Sequence, residues 1–188
     1  MKKKEITFDM VTTKGGDMGE TSLYNGERRR KDDLIMDVVG DLDELGAFLG
    51  LARAELVKTG RKKESDIIIE IQKTLFIIGG EAATPENDKL FKNISKMTEK
   101  HILFLEREEK NLLKTTIIRP VFVTAGGNSV SATVDVARAV CRRTERHMVS
   151  LIRERGFVYL ATGQRYLNRL SDLLFILARS LETEELKS

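Results

Sequence analysis

Residues 130–148 have the sequence VSATVDVARAVCRRTERHM, which predicts a helix with two different faces. Apolar and small side chains recur every three or four residues along one stripe: Val130, Val134, Ala137, Cys141, Thr144 and Met148. Charged residues follow a similar spacing along a second stripe, here named the charged stripe: Asp135, Arg138, Arg142 and Glu145. We expect the first stripe to face a core and the charged stripe to face a polar groove.

Two interpretations of the charged stripe remain open from its spacing alone. Planar guanidinium groups stacked along one face suit a polyphosphate or carboxylates, because each can donate two parallel charge-assisted hydrogen bonds. Alternatively, the stripe is a solvated helix face held together by salt bridges. Arg138 and Arg142 are the residues on which the binding interpretation depends.

Composition limits the class of protein. The chain has 188 residues, 41% of them hydrophobic, which is enough for one domain with a sizeable core. Lys and Arg number 32 against 29 Asp and Glu, so the net charge is only +3 and no broad basic field for nucleic acid is predicted. The single cysteine, Cys141, predicts a buried, inert thiol in a reducing compartment. Because no apolar segment reaches signal-peptide or membrane-spanning length, we expect a soluble cytoplasmic protein with no membrane partner.

Long patterns with a period of 3.6 residues, interrupted by only two prolines, predict an all-α fold built as a five-helix bundle. The expected helices span about 33–57, 64–83, 96–113, 129–154 and 163–182. Two pieces are expected to be non-helical: residues 1–31 and an extended apolar connection at 115–127. The whole chain, 1–188, is predicted to be a single domain, with ligand contacts concentrated in the non-helical pieces.

A glycine-rich loop precedes the first expected helix, with the sequence TTKGGDMGETS at residues 12–22. Glycine lets the backbone approach an anion closely, successive N–H groups form a concave nest, and Lys14 adds a positive charge. The loop fits neither the Walker A pattern nor the GxGxxG fingerprint, so neither standard nucleotide-binding fold is predicted. It is either a phosphate cradle or a flexible polar tail.

Charged residues around the first expected helix also allow two interpretations. Asp41, Asp43 and Glu44 are crowded within a largely apolar pattern. They are ordinary surface acids, or one of them meets Arg138. Before that helix, the basic run at residues 28–31 is expected to be mostly solvated, with one residue such as Lys31 turned towards a ligand.

The last expected helix and the histidines bear on cofactor chemistry. Asn168 and Asp172 lie four residues apart on its polar edge, where Asn168 either reads a base or ribose or is a buried structural amide. Neither His101 nor His147 has a glutamate three residues before it, so a di-iron centre is not expected. No zinc site, Ser-His-Asp arrangement or other protein metal site is predicted.

Four blocks of the chain together resemble one family, the propanediol-utilisation type of ATP:cob(I)alamin adenosyltransferase, also called corrinoid adenosyltransferase. The blocks are residues 13–23 with 26–33, 39–45, 122–146 and 166–172. Each block alone is weak, but their order and spacing cover nearly the whole chain. The resemblance implies a helical bundle at 32–188, an N-terminal ATP-binding segment at 1–31, and a homotrimer with active sites between subunits.

The resemblance also implies residue roles. The family's ATP contacts fall on Thr13, Lys14, Gly15, Gly16, Thr21, Ser22, Lys31, Arg142, Arg143, Glu145, Arg146 and Asn168. Asp43 matches the acid that pairs with the arginine at Arg138, and Phe122 matches the aromatic residue under the corrin ring. The alternative for Phe122 is a core anchor for its loop. Thr12 and Ala125 stand where the family usually has tyrosine and proline. The N-terminal segment and the turn before the fourth expected helix can therefore differ in detail from those of the family.

The implied reaction transfers the 5′-deoxyadenosyl group of ATP to cob(I)alamin, giving adenosylcobalamin and triphosphate. Co(I) attacks C5′ in line while the triphosphate leaves, so the protein mainly positions the substrates and stabilises charge. We expect Arg142, Asp43, Arg138 and Phe122 to serve this step without a protein nucleophile. Mg²⁺ on the triphosphate is implied as well. The implied protein partners are a reductase that supplies Co(I) and a cobalamin-dependent mutase or dehydratase.

Two other functions are compatible with the sequence. One is a non-enzymatic helical module that binds nucleic acid through the basic run at 28–31 and the arginines of the fourth expected helix. The near-neutral total charge and the interleaved acids argue against it. The other is a member of the same family that serves mainly as an adenosylcobalamin sensor or delivery protein.

Overall fold

The computed structural model describes residues 6–118 and 120–182, and most of them are helical. The elements in chain order are α1 (Phe8–Val11), β1 (Glu20–Ser22), β2 (Arg28–Arg30), α2 (Leu34–Lys58), α3 (Lys62–Ala82), α4 (Glu99–Leu113), α5 (Ser129–Arg155) and α6 (Ala161–Ser180), with short 3-10 turns at Lys89–Lys92 and Val158–Leu160. The five long helices predicted from the sequence are confirmed as α2 to α6. Each begins and ends within about three residues of its predicted bounds, which is the usual uncertainty of helix ends.

Helix α5 is central to the packing, because it lies against both α2 and α6. Helix α3 packs on α2, and α4 packs on α6. Asp33, just before α2, lies 3.8 Å from Arg155 at the end of α5, so these two helices run antiparallel. Within the part of the chain that the structure describes, every helix is too short or too polar to cross a membrane.

The predicted apolar stripe of α5 forms part of the core. Val134, Ala137, Cys141, Thr144 and Met148 have no exposed surface. The Cys141 thiol donates a hydrogen bond to the Leu167 carbonyl oxygen at 3.3 Å. Burial raises the pKa of this thiol far above its ordinary value, so it stays protonated and the predicted inert cysteine is confirmed.

Two predicted helix starts are confirmed by their caps. The Asn128 side chain accepts a hydrogen bond from the Ser131 N–H at 2.9 Å and begins α5. The Asp33 carboxylate accepts one from the Ile35 N–H at 3.1 Å and begins α2. Both side chains satisfy N–H groups that a first helical turn leaves without partners.

The predicted helical fold is confirmed in the main, but the prediction of no helix within residues 1–31 is wrong, because this region contains α1, and it also contains a two-stranded antiparallel sheet. In that hairpin Glu20 lies opposite Arg30, and Ser22 lies opposite Arg28. Gly26 follows Asn25 in the connecting turn and has a φ of 85°, a conformation that glycine adopts without strain. Three-residue strands are too short to show an alternating pattern, although Asn-Gly is itself a strong hairpin signal.

Candidate active site

The glycine-rich loop folds back on β2 and on the residue that follows it. The Lys31 N–H donates to the Gly19 carbonyl oxygen at 2.8 Å, and Arg28 Nη2 donates to the Gly15 carbonyl oxygen at 2.9 Å. A Cβ atom on Gly16 would lie 3.0 Å from Lys31 Nζ. The Lys31 ammonium group can therefore lie against the loop because position 16 has no side chain, which brings two predicted ATP contacts together.

The backbone of the loop is held in a defined shape. Among the described residues, Lys14 is the only non-glycine residue with a positive φ, at 55°. The Gly15 N–H donates to Thr13 Oγ1 at 3.4 Å. Thr21 and Ser22 lie on β1, where Arg28 Nη1 donates to Ser22 Oγ at 3.3 Å. These contacts favour the phosphate cradle over the flexible tail.

Beside the loop lies the loop cavity, about 670 Å³ in volume, which is lined by Met18, Gly19, Glu20, Arg30, Lys31 and Asp32. Hydrogen bonding to Asp32 raises the pKa of Arg30, and the same contact lowers the pKa of Asp32. The charge of Arg30 is therefore balanced by Asp32. The other positive group of this cavity, the Lys31 ammonium, lies against the glycine-rich loop at Gly16.

A second cavity of about 330 Å³, the α5 groove, is lined by Arg142, Glu145, Arg146 and Val149. Asn168 of α6 donates from Nδ2 to Glu145 Oε1 at 3.1 Å. Arg146 donates from Nη1 to the Arg142 carbonyl oxygen at 3.0 Å, while the Arg142 side chain is exposed. Four predicted ATP contacts thus lie together at this groove: Arg142, Glu145, Arg146 and Asn168. Because Asn168 is exposed, its interpretation as a buried structural amide is wrong.

Arg143 points to α2 instead of the α5 groove. Its Nε donates to Asp41 Oδ1 at 3.0 Å, its Nη2 pairs with Glu44, and His147 Nδ1 lies 2.9 Å from Asp41 Oδ2. The hydrogen bond to Asp41 raises the pKa of Arg143. Within the chain, these acids of α2 therefore meet Arg143 rather than Arg138, and the ATP contact assigned to Arg143 stays a prediction.

The expectation that the whole charged stripe faces one polar groove is wrong at Asp135. This residue is only 5% exposed, and its Oδ2 accepts from Arg179 Nη2 of α6 at 2.5 Å. Its Oδ1 accepts from Arg138 Nε at 3.2 Å. Helix α6 covers this end of α5, so Asp135 is a structural partner of two arginines. Asp43 is exposed on α2, and its pairing with Arg138 stays a prediction.

Phe122 is fully exposed in the connection between α4 and α5. Val121 and Ile117 of the same connection are 65% and 83% exposed, so this connection presents several apolar side chains to solvent. The alternative in which Phe122 anchors its loop in the core is therefore wrong for this chain. Several large apolar side chains exposed along one short segment are typical of an interaction site.

An acidic cluster, of which only Asp172 was predicted to lie on a polar helix edge, lies between α4 and α6. Arg169 contacts Glu106 at 3.4 Å and Asp172 at 2.9 Å. Glu109 lies beside them, and one of its carboxylate oxygens is buried. Burial, followed by repulsion from Asp172, raises the pKa of Glu109 to about 7. The spacing of Glu106 and Glu109 on one helix face was the only available sequence signal.

We expect Glu109→Gln to stabilise the protein at pH 8 and to have little effect at pH 4.5. The pKa is raised from 4.5 when unfolded to about 7 when folded, so the stability contributed by the carboxyl is full below pH 4.5 and lost as pH rises through 7. Because Glu109 is partly solvated, we expect a gain of about 1–2 kcal/mol, or about 3–6 °C in Tm. Thermal unfolding at both pH values measures it. An equal gain at both pH values, or in the exposed control Glu154→Gln, would contradict this origin.

Comparison with known proteins finds relatives that are described as adenosyltransferases acting on cobalamin or corrinoids. A sequence profile for a family described as cobalamin adenosyltransferase matches residues 11–181. Corrinoid adenosyltransferase MMAB of Homo sapiens is 37% identical over 177 residues, which cover 93% of this chain and 70% of that protein. The corrinoid adenosyltransferase of Bacillus subtilis (strain 168) is 37% identical over 170 residues, which cover 89% and 83%.

Solved structures resemble the fold closely. One is a phenylalanine-to-alanine variant of a PduO-type ATP:corrinoid adenosyltransferase from Lactobacillus reuteri, complexed with cobalamin and ATP. Its TM-score is 0.78 at 29% identity, with 90% of this chain and 92% of that chain covered. An arginine-to-lysine variant of the PduO-type enzyme from the same organism, complexed with ATP, has a TM-score of 0.76 at 31% identity, with the same coverage.

Proposed function

Because the chain belongs to the cobalamin adenosyltransferase family, we propose which of its residues carry that family's reaction and how they assemble. The protein is a transferase that moves the 5′-deoxyadenosyl group of ATP to cob(I)alamin, forming adenosylcobalamin and triphosphate. ATP and the corrinoid are its substrates. The observation that carries our assignment is that Arg142, Glu145 and Arg146 of the predicted ATP contacts line one cavity, while Lys31 lines another beside the glycine-rich loop.

We assign the triphosphate to both cavities. The glycine-rich loop supplies backbone N–H groups, with positive charge from Lys14 and Lys31. The α5 groove supplies the guanidinium of Arg142, which stabilises charge that develops on the leaving triphosphate. Asn168, held by Glu145, is placed to bind the ribose or base. Mg²⁺ would be held by triphosphate oxygens, the ligand type that it prefers, and would neutralise part of the same charge.

We further propose a homotrimer with an ATP site between subunits. The loop cavity lies near the end of α5, because Asp33 follows its lining residues and approaches Arg155. The α5 groove ends at Val149, six residues or about 9 Å of helix before Arg155, and it shares no lining residue with the loop cavity of the same chain. The groove is therefore left for a neighbouring copy to cover with its own loop. The same assembly would bring Asp43 of one subunit to Arg138 of the next.

Complementation between variants tests the shared site. Lys14→Glu damages the loop, and Arg142→Ala removes a charged hydrogen bond from the groove, which alone costs about ten- to a hundred-fold in activity. In trimers formed from equal amounts of both variants, about one quarter of the sites should combine an intact loop with an intact groove. Co-expression should therefore recover about a quarter of wild-type kcat. No recovery in purified mixed trimers would place both halves in one subunit.

We place Phe122 under the corrin ring. Its full exposure and the other exposed apolar residues of its connection support this role, because a corrin face is a large surface able to cover the ring. With Phe122 there, the lower face of cobalt would be apolar and shielded from water. This removes an axial donor and favours reduction of the cobalt.

The alternative nucleic-acid module is not favoured. Three residues of the basic run are paired with acids: Arg28 with Glu20, Arg29 with Glu27, and Arg30 with Asp32. Their charges are therefore locally balanced and do not form a basic surface for phosphates. The reductase, the mutase or dehydratase partner and the cytoplasmic location remain part of our proposal, the last supported by the lone, buried thiol.

A further inference from the structure

A buried ion-pair network joins the end of α6 to the beginning of α5. Arg179 Nη2 lies 2.5 Å from Asp135 Oδ2 and 2.8 Å from Glu182 Oε1. The three residues are 5%, 5% and 8% exposed. Asp135 uses its other oxygen to accept from Arg138 Nε at 3.2 Å, so two positive and two negative groups balance. We call the set Asp135, Arg179 and Glu182 the Arg179 network.

The Arg179 network reaches the turn that ends the Phe122 loop. A Cβ atom on Gly127 would lie 2.8 Å from Glu182 Cγ and 3.0 Å from its Cδ, so the backbone at Gly127 rests directly on this side chain. Next to it, Asn128 Nδ2 donates to the Leu181 carbonyl oxygen at 2.7 Å. The end of α6 therefore fixes the two residues that lead into α5.

These contacts fix only one end of the loop. Residues 121–126 are exposed, so the described contacts at Gly127 and Asn128 are the tether nearest to Phe122 on the α5 side. The other end of the network orients Arg138 through Asp135. A single buried arginine thus links the loop carrying Phe122 to the arginine proposed to face the next subunit.

We propose that Arg179 is a positioning residue for the corrin side of the active site. It holds Glu182 against Gly127 and Asp135 against Arg138, and so sets the place of Phe122 and the direction of Arg138. The proposal rests on the role assigned to Phe122 under the corrin. One nitrogen of the planar guanidinium, Nη2, contacts both buried carboxylates, and its N–H groups point in fixed directions, which a rotating lysine ammonium reproduces less well.

Two variants test this without leaving a buried charge unpaired. Arg179→Lys keeps the charge but removes the planar group whose Nη2 bridges both carboxylates, and Gly127→Ala introduces a Cβ atom into the space that Glu182 occupies. Both should lower kcat with cobalamin by about ten- to a hundred-fold, because a loop displaced by about 1 Å misplaces the reacting atoms. KM for ATP should stay within about two-fold of wild type, since the α5 groove is untouched. Electron paramagnetic resonance should show less four-coordinate cob(II)alamin in both.

A third substitution tests the same link. Glu182→Ala removes the side chain on which Gly127 rests and leaves Arg179 paired with Asp135, so it should lower the four-coordinate signal as Arg179→Lys does, and Gly127→Ala/Glu182→Ala should lose little more than either single variant. Arg153→Lys, at an exposed position on α5, should match wild type. Wild-type rates and signal in folded Arg179→Lys and Gly127→Ala, or a wild-type signal in Glu182→Ala, would overturn the proposal.

Hydrogen exchange separates this proposal from the role of Phe122. Without any ligand, the hydrogen-bonded amides of Asn128, Ser131 and Ala132 should exchange about ten-fold faster in Arg179→Lys than in Arg153→Lys, because the tether at Gly127 and Asn128 is loosened. If Phe122→Ala keeps the four-coordinate signal, the corrin role of Phe122 fails, and this exchange difference alone decides whether Arg179 positions the loop. Equal exchange in the two variants would then refute it.

Discussion

Replacing Phe122 by alanine is expected to leave ATP binding almost unchanged while bound cob(II)alamin stays mostly five-coordinate. The ring is exposed in the free chain, so its removal costs the fold little. In the complex, however, its loss would open the lower face of cobalt to an axial donor or water. The five-coordinate cobalt accepts an electron less readily, so adenosylation should slow most when a protein or flavin supplies the electron.

Electron paramagnetic resonance of cob(II)alamin with ATP measures the coordination number directly. Phe76→Ala is a matched control, because Phe76 is a phenylalanine 81% exposed on α3. We expect the four-coordinate signal to fall by about ten-fold or more in Phe122→Ala only, on the scale that a lost aromatic contact commonly costs in kinetics. A signal of wild-type strength in Phe122→Ala would refute its place under the corrin.

The second large effect is expected at Asp43 and Arg138. Asp43 is exposed and Arg138 is partly buried on α5, where it already donates to Asp135. If a subunit contact desolvates this pair, removing one partner leaves an uncompensated charge that costs about 3–5 kcal/mol, or about a hundred-fold or more in activity. Asp43→Asn and Arg138→Ala should each show that loss, and the double variant should lose little more than either one.

A double-mutant cycle on kcat/KM, with light scattering for the assembly state, tests the pairing. Asp37→Asn removes another exposed carboxylate of α2 and should behave as wild type. Scattering should report a trimer for the wild type and show whether each variant keeps it. A monomeric wild type, or effects of the two substitutions that simply multiply, would count against the proposed contact.

Local sequence patterns were sufficient for the main features of the fold. The period of apolar residues in α5 depends only on neighbours three and four positions away, and the fully buried stripe from Val134 to Met148 follows it. The caps at Asp33 and Asn128 also act within three residues of their positions. Such interactions are set by the helix itself, so the sequence alone reveals them. The four family blocks likewise predicted the activity that the relatives support.

The hairpin of β1 and β2 was not predicted, because its strands are too short to show a sequence pattern. Asn25-Gly26 was a readable turn signal, but its strands have only three residues each and carry little apolar periodicity. Pairing of Glu20 with Arg30 places Lys31 against Gly16, and this contact turns a glycine-rich stretch into a shaped loop. The sequence predicted the individual residues of the cradle. The contact between Lys31 and Gly16 depends on the pairing of the two strands, which the sequence analysis did not predict.

Partner choice among charged residues was decided only by the tertiary structure. From the sequence, Asp135 and Arg143 lie among the charged and basic residues of one helix, yet Asp135 is buried against Arg179 and Arg143 turns to Asp41. The pKa of Glu109 depends in the same way on Asp172, which belongs to another helix. These partners are 44, 102 and 63 positions apart in the chain, and the strength of a charge interaction depends on distance and burial in space. Helix formation is therefore determined by residues that are near in sequence, and the sequence alone predicts it. The electrostatics of the site depend instead on how α2, α4 and α6 pack around α5.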